Sequence, residues 1–97
     1  MPDALQAASH AYSLVLENDR VRVLEYRGSP GTKAEMHSHP DLVAVALRGG
    51  TVRFTLANGQ TDDAELADGE AGFFAATEHM TENAGSSDIH IVLIELK

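Results

Sequence analysis

The chain has 97 residues, no cysteine and a formal net charge of −8. That length holds one core and not two, and the charge argues against nucleic acid or an anionic membrane surface as a partner. The missing cysteines exclude a disulfide scaffold and fit a reducing compartment.

Met1 to Ala11 contains Asp3 and no Lys or Arg, so no secretory leader is expected. The longest fully apolar run, Leu42 to Leu47, is too short to span a bilayer. The cytoplasm is the default location. Residues 1–12 read as an N-terminal tail in which Ala4 to Ala8 supports at most one frayed helical turn; residues 13–97 read as a single domain.

The rest of the chain alternates strand and turn signals. Ser13 to Leu16 is apolar, and a polar turn follows over Glu17-Asn18-Asp19-Arg20. Val21 to Tyr26 is rich in β-branched residues and alternates around Arg22 and Glu25, as a strand does. After the breaker Gly28-Ser29-Pro30-Gly31, Lys33 to His39 reads as a short strand stopped by Pro40. Leu42 to Leu47 is apolar on both faces, so it is buried twice or covered by a partner.

Val52 to Leu56 and Thr61 to Leu66 flank Asn58-Gly59, the dipeptide of a type I′ hairpin turn. Ala71 to Ala76, His79 to Asn83 and Ile89 to Leu96 complete the set, with turns at Asp68-Gly69 and Gly85 to Asp88. The expectation is about eight or nine short strands with regular turn signals, hence an all-β sandwich, jelly roll or barrel. Six basic residues precede Phe54, and none lies between Phe54 and Leu96. A solvated acidic surface is the simple reading of that imbalance; pairing of early basic with late acidic strands is the sharper one.

The chemistry concentrates at His37-Ser38-His39. Residues two apart on a strand point to one face, so both imidazoles can grip one ion. Neutral imidazole is the commonest transition-metal ligand at physiological pH. His79, after another apolar segment, is a good third ligand. His10 is expected at the surface and His90 in a structural or surface role. Asn83 reads as a turn residue.

Phe54, Phe73, Phe74, Met36 and Met80 are core or pocket wall. Of the carboxylates flanking the histidines (Glu35, Asp41 and Glu78), Glu35 is the best placed to orient an imidazole, since a regular strand puts it on the face of His37.

Gly31, five residues and then His37-Ser38-His39 resembles the first conserved motif of the cupins. That motif continues with a Glu, which falls here on Val43 or Ala44, and a Gly, which Gly50 matches when counted from Val43, so the spacing favours Val43 as the equivalent of the Glu. The second cupin motif is degraded. Gly69 matches its first glycine, Ala75 and Thr77 replace its Pro and Gly, His79 arrives one residue early, and Asn83 is correctly spaced.

The resemblance covers about residues 14–97. It implies a double-stranded β-helix, the cupin jelly-roll barrel, with one divalent transition metal on His37, His39 and His79. Iron comes first, and zinc, nickel and manganese are compatible. It also implies a homodimer formed through the sheets, for which the doubly apolar strands Leu42–Leu47 and Ile89–Leu96 are suited.

A three-histidine set without the Glu leaves the metal's full charge and open positions for an anionic or chelating ligand. The activities compatible with that are a non-haem iron dioxygenase on a small chelating substrate, a non-redox isomerase, lyase or hydrolase, and a non-catalytic metal- or ligand-binding module. Fold does not choose among them.

Overall fold

The computed structural model describes residues 2–97. One helical turn, α1 (Ala4–Ala7), precedes nine strands: β1 (Tyr12–Glu17), β2 (Val21–Gly28), β3 (Lys33–His39), β4 (Leu42–Arg48), β5 (Gly50–Leu56), β6 (Thr61–Leu66), β7 (Ala71–Phe74), β8 (Thr77–Asn83) and β9 (Ile89–Leu96). The expected spans of β3, β6 and β9 coincide with the observed ones to the residue. The strands form two antiparallel sheets, ordered β1-β2-β9-β4-β7 and β3-β8-β5-β6, facing each other as an all-β jelly roll.

The last strand holds the larger sheet together. β9 lies between β2 and β4, which are remote from it in sequence. Its alternation is regular: Ile89, Ile91, Leu93 and Glu95 are buried, and the residues between them are less so. Leu24, Ala34, Ala46 and Val52 meet this face from both sheets. Leu24 and Ile89 have almost no exposed surface, and burying side chains of this size stabilises the fold by about 1.5–3 kcal/mol each. Below them the buried Asn83 ties the closed end together. Its Nδ2 donates to Gly28 O and Ser87 O, and its Oδ1 accepts from Gly85 N, which is the turn role expected of it.

The first dozen residues, read as a tail from the sequence, pack on the barrel. Asp3 caps α1 through a reciprocal box with Gln6, and Ala4 and Ala8 are fully buried. So short a helix is not stable through propensity; its cap and the close seating of two alanine methyls hold it. His10 is exposed, as expected, and donates from Nε2 to Lys33 O at 2.7 Å.

The Asn58-Gly59 hairpin forms, but not as a type I′ turn. Only Gly59 has positive φ, +89°, and among the described residues no residue other than glycine does. Gly59 N donates to Leu56 O, and Leu56 N to Gln60 O. This is a three-residue loop, a tight turn closed by a left-handed glycine bulge.

Candidate metal centre

The register of β3 against β8 builds the site. His37 lies directly opposite His79, and His39 opposite Thr77. Directly opposed residues project to the same face, so His37, His79 and His39 all turn into the interior. Their ring centroids are 4.7 Å (His37–His39), 4.9 Å (His37–His79) and 5.3 Å (His39–His79) apart. One ligand nitrogen from each lies within 4.8 Å of the others. The three residues singled out in the sequence are thus brought together.

Hydrogen bonds set the tautomers. His37 Nδ1 lies 2.6 Å from Glu35 O, and His39 Nδ1 lies 2.7 Å from Glu95 Oε2. A carbonyl and a carboxylate only accept, so both Nδ1 atoms carry the proton and both Nε2 atoms present a lone pair. Those Nε2 atoms are buried and have no hydrogen-bond partner. Burial lowers the pKa of His37. Burial, followed by the proximity of His37 and His39, takes that of His79 down to about 3. Neutral imidazoles with converging, unsatisfied lone pairs are what a divalent transition metal requires, so the residues present fit one.

The carboxylate that orients an imidazole is Glu95, not Glu35. Between Ala34 and His37 the register of β3 shifts by a bulge, which places Ala34, His37 and His39 inward and leaves Glu35 exposed. Regular alternation fails at that point, and only the Glu35 carbonyl reaches His37. Glu95 is 2% exposed and also accepts from Arg22 Nε at 2.9 Å and Arg22 Nη2 at 2.8 Å. Burial alone raises its pKa, but the His39 and Arg22 hydrogen bonds and the Arg22 charge outweigh that and hold it below the usual value. A period-two reading of β9 contains the signal: Glu95 falls on the face of Ile91 and Leu93, and a charge at the inward end of an apolar strand needs a partner.

Four other expectations are resolved. Ala44, not Val43, faces the interior where the cupin motif carries its Glu: Leu42 and Ala44 line the cavity, while Val43 pairs in register with the exposed Phe73. Glu78 is exposed, and Asp41 accepts from Ala76 N. His90 lies away from the cluster, with Nε2 3.4 Å from Glu25. The late acidic residues form mostly a solvated surface, with Asp62, Glu65, Asp68, Glu70, Glu78 and Asp88 exposed, as the simple reading expects, and only Arg22–Glu95 and Arg53–Asp63 pair early basic with late acidic residues.

Above the histidines lies a cavity of 310 Å³. Leu42, Phe54, Leu56, Phe74, Ile91 and Leu93 give it apolar walls, and Asp62 is its one acidic residue. Phe54 tilts against His79 with centroids 5.0 Å apart. Tyr12 packs edge-on to His37, and burial drives its phenol pKa well upward, so it stays protonated. Tyr26 also borders this space, with its buried Oη unpartnered and turned against Gly28. Phe73 faces outward, and neither Met36 nor Met80 lines the cavity.

No family model and no curated protein matches this sequence. Solved structures do match. A cupin domain from Bordetella pertussis is similar at 26% identity and a TM-score of 0.81, over 99% of this chain and 95% of that one. A double-stranded β-helix protein from Klebsiella pneumoniae is similar at 21% identity and a TM-score of 0.69, over 87% of this chain and 73% of that one. The polyketide cyclase RemF from Streptomyces resistomycificus matches at 18% identity and a TM-score of 0.62, over 88% of this chain and 63% of that one. A likeness running through nearly the whole of both chains in the first case, with the same architecture in the others, gives this chain the fold of a small cupin domain.

Proposed function

We propose that His37, His39 and His79 hold one divalent transition metal, iron first, and that the chain uses it as a dioxygenase on a small, largely apolar, chelating substrate. The observation that carries the metal is the pair of buried, unpartnered Nε2 atoms of His37 and His39. Leaving such groups unsatisfied costs about 1–3 kcal/mol each, and ligation removes that cost. Bound there, iron supplies dioxygen chemistry and zinc supplies Lewis acidity.

The chain's own residues do the rest. Three neutral donors leave the ion's charge uncompensated, which favours an anionic, chelating ligand. Glu95 holds the His39 tautomer. The apolar walls strip water from the ligand and suit a ring of modest size.

Metal analysis of protein purified without tag or chelator, with oxygen uptake measured against a catechol, a β-diketone and a thiol, tests this reading. One equivalent of iron with substrate-dependent uptake is expected. No metal after reconstitution overturns it. Turnover without oxygen favours the second reading, a non-redox metal-dependent reaction, which draws on the fold shared with a polyketide cyclase by analogy. Saturable binding without turnover in either condition leaves a binding module.

The partner we propose is a second copy of the chain. On the outer face of the larger sheet Leu16, Val23, Ile94, Val43 and Phe73 stand in register across all five strands. Leu16 and Phe73 are 48% and 61% exposed. An uncharged row of this length suits a self-complementary sheet contact. Sedimentation at micromolar concentration is expected to give a dimer, and Phe73→Glu a monomer.

A further inference from the structure

We infer that residues 2–8 form a clasp that positions the metal ligands, with Asp3 and Arg22 as positioning residues acting through Glu95 on His39. The inference rests on the metal reading above and goes beyond it, because it assigns a role at the metal centre to a segment that supplies no ligand.

Two independent connections carry it. The first is backbone. β3 is an edge strand, paired on one side with β8. Its other edge is open to solvent unless something covers it. Ser38, the residue between the two histidines, donates its N–H to Pro2 O at 3.0 Å, and Asp3 bridges Ser38 in parallel register. The segment therefore pairs with β3 at the point where the ligands project.

The second is a chain of charged side chains. Asp3 Oδ2 accepts from Arg22 Nη1 at 2.7 Å. Arg22 donates through Nε and Nη2 to Glu95 Oε1, and Glu95 Oε2 accepts from His39 Nδ1. Arg22 thus uses its planar fork on two carboxylates at once, which a lysine cannot do. Meanwhile Asp3 Oδ1 caps α1 by accepting from Gln6 N at 2.9 Å. One carboxylate closes the helix and fixes the guanidinium, which fixes the carboxylate that orients the ligand. The buried Ala4 and Ala8 hold the segment down. Partners of a ligating imidazole set its orientation and basicity, and losing one typically weakens metal binding 10- to 100-fold.

The two jobs of Asp3 are separable. Asparagine caps helices as well as aspartate does, so Asp3→Asn keeps α1 and removes the charge that holds Arg22. Ile89→Val removes a buried methyl group outside the clasp and leaves the Arg22 contacts alone. Cobalt(II) titration of the full chain, followed by its visible ligand-field bands, reads affinity and geometry at the ion; thermal melts of the metal-free proteins read stability.

Asp3→Asn is expected to weaken cobalt binding about three- to tenfold, less than direct removal of the Glu95 charge, and to shift the bands. Arg22→Lys is expected to repeat both effects. Ile89→Val is expected to lower the Tm and keep affinity within about twofold with unchanged bands. Wild-type affinity and spectrum in Asp3→Asn and Arg22→Lys would overturn the clasp while leaving the metal site standing. Equal weakening by Ile89→Val would overturn it too, by reducing the effect to general destabilisation. A wild-type chain that binds no cobalt would overturn the clasp and the metal reading together.

Discussion

The two ends of the barrel interior are built on opposite principles. At the closed end Ile89 is packed almost without exposed surface, and every polar atom of the Asn83 side chain is paired. At the open end three imidazoles crowd together, two ring nitrogens lack partners, and a buried carboxylate is balanced between a guanidinium and a histidine. At the closed end Tyr26 Oη, against Gly28, and His90 Nε2 lack a hydrogen-bond partner, but they belong to no cluster of ligand atoms among the described residues. At the open end the unpartnered atoms do, and an unpaired buried polar group in a native fold calls for an explanation such as a bound ion or water. Stability is thus concentrated at one end and function at the other.

The largest expected break in this contrast is His37→Ala with His39→Ala, which removes stoichiometric metal while leaving the closed end intact; elemental analysis beside a thermal melt checks both halves. Ile89→Ala, at the closed end, is the converse. It should cost about 2–5 kcal/mol of stability in denaturant melts and, once folded, bind metal as the wild type does. Glu95→Gln keeps the shape and removes the charge, and should weaken metal binding about 10- to 100-fold by competition titration.

Acid should act on the open end before the closed one. His37 and His79 have folded pKa values below the ordinary 6.5, so below about that pH the unfolded chain binds more protons than the folded one. Stability of the metal-free protein should be level above pH 7 and fall steadily as the pH drops from about 6.5 towards 3. A profile in melts that is flat through pH 5 would contradict neutral, buried histidines. The smallest effect is expected of Glu35→Gln. The bulge leaves that side chain in solvent, so stability should change by less than about 0.5 kcal/mol and metal affinity not measurably.

Much of this was legible in the residues. Strand spans were readable because hydrophobic alternation and turn chemistry are local: β3, β6 and β9 are bounded in sequence by proline, glycine and Asn-Gly signals that act within a few residues. The histidine pair was readable for the same reason. The bulge in β3 was not, because an extra residue in one strand is defined only against its partner. It moved the orienting carboxylate from Glu35, two residues from His37, to Glu95, 56 residues from His39. The seating of residues 2–8 was equally hidden, since a single turn with weak propensity gains its stability from a surface built by other strands.

Alone, the sequence determined the all-β class, the position of most strands, the single core and the three imidazoles, because side-chain period, turn preference and ligand chemistry are properties of neighbouring residues. The tertiary structure decided which residues face each other across those strands. It set His79 opposite His37, turned Ala44 rather than Val43 to the cavity, and joined Asp3, Arg22, Glu95 and His39 into one chain. Register and sheet closure bring together residues that no local rule relates, and a buried charge finds its partner only after the sheets have closed around it.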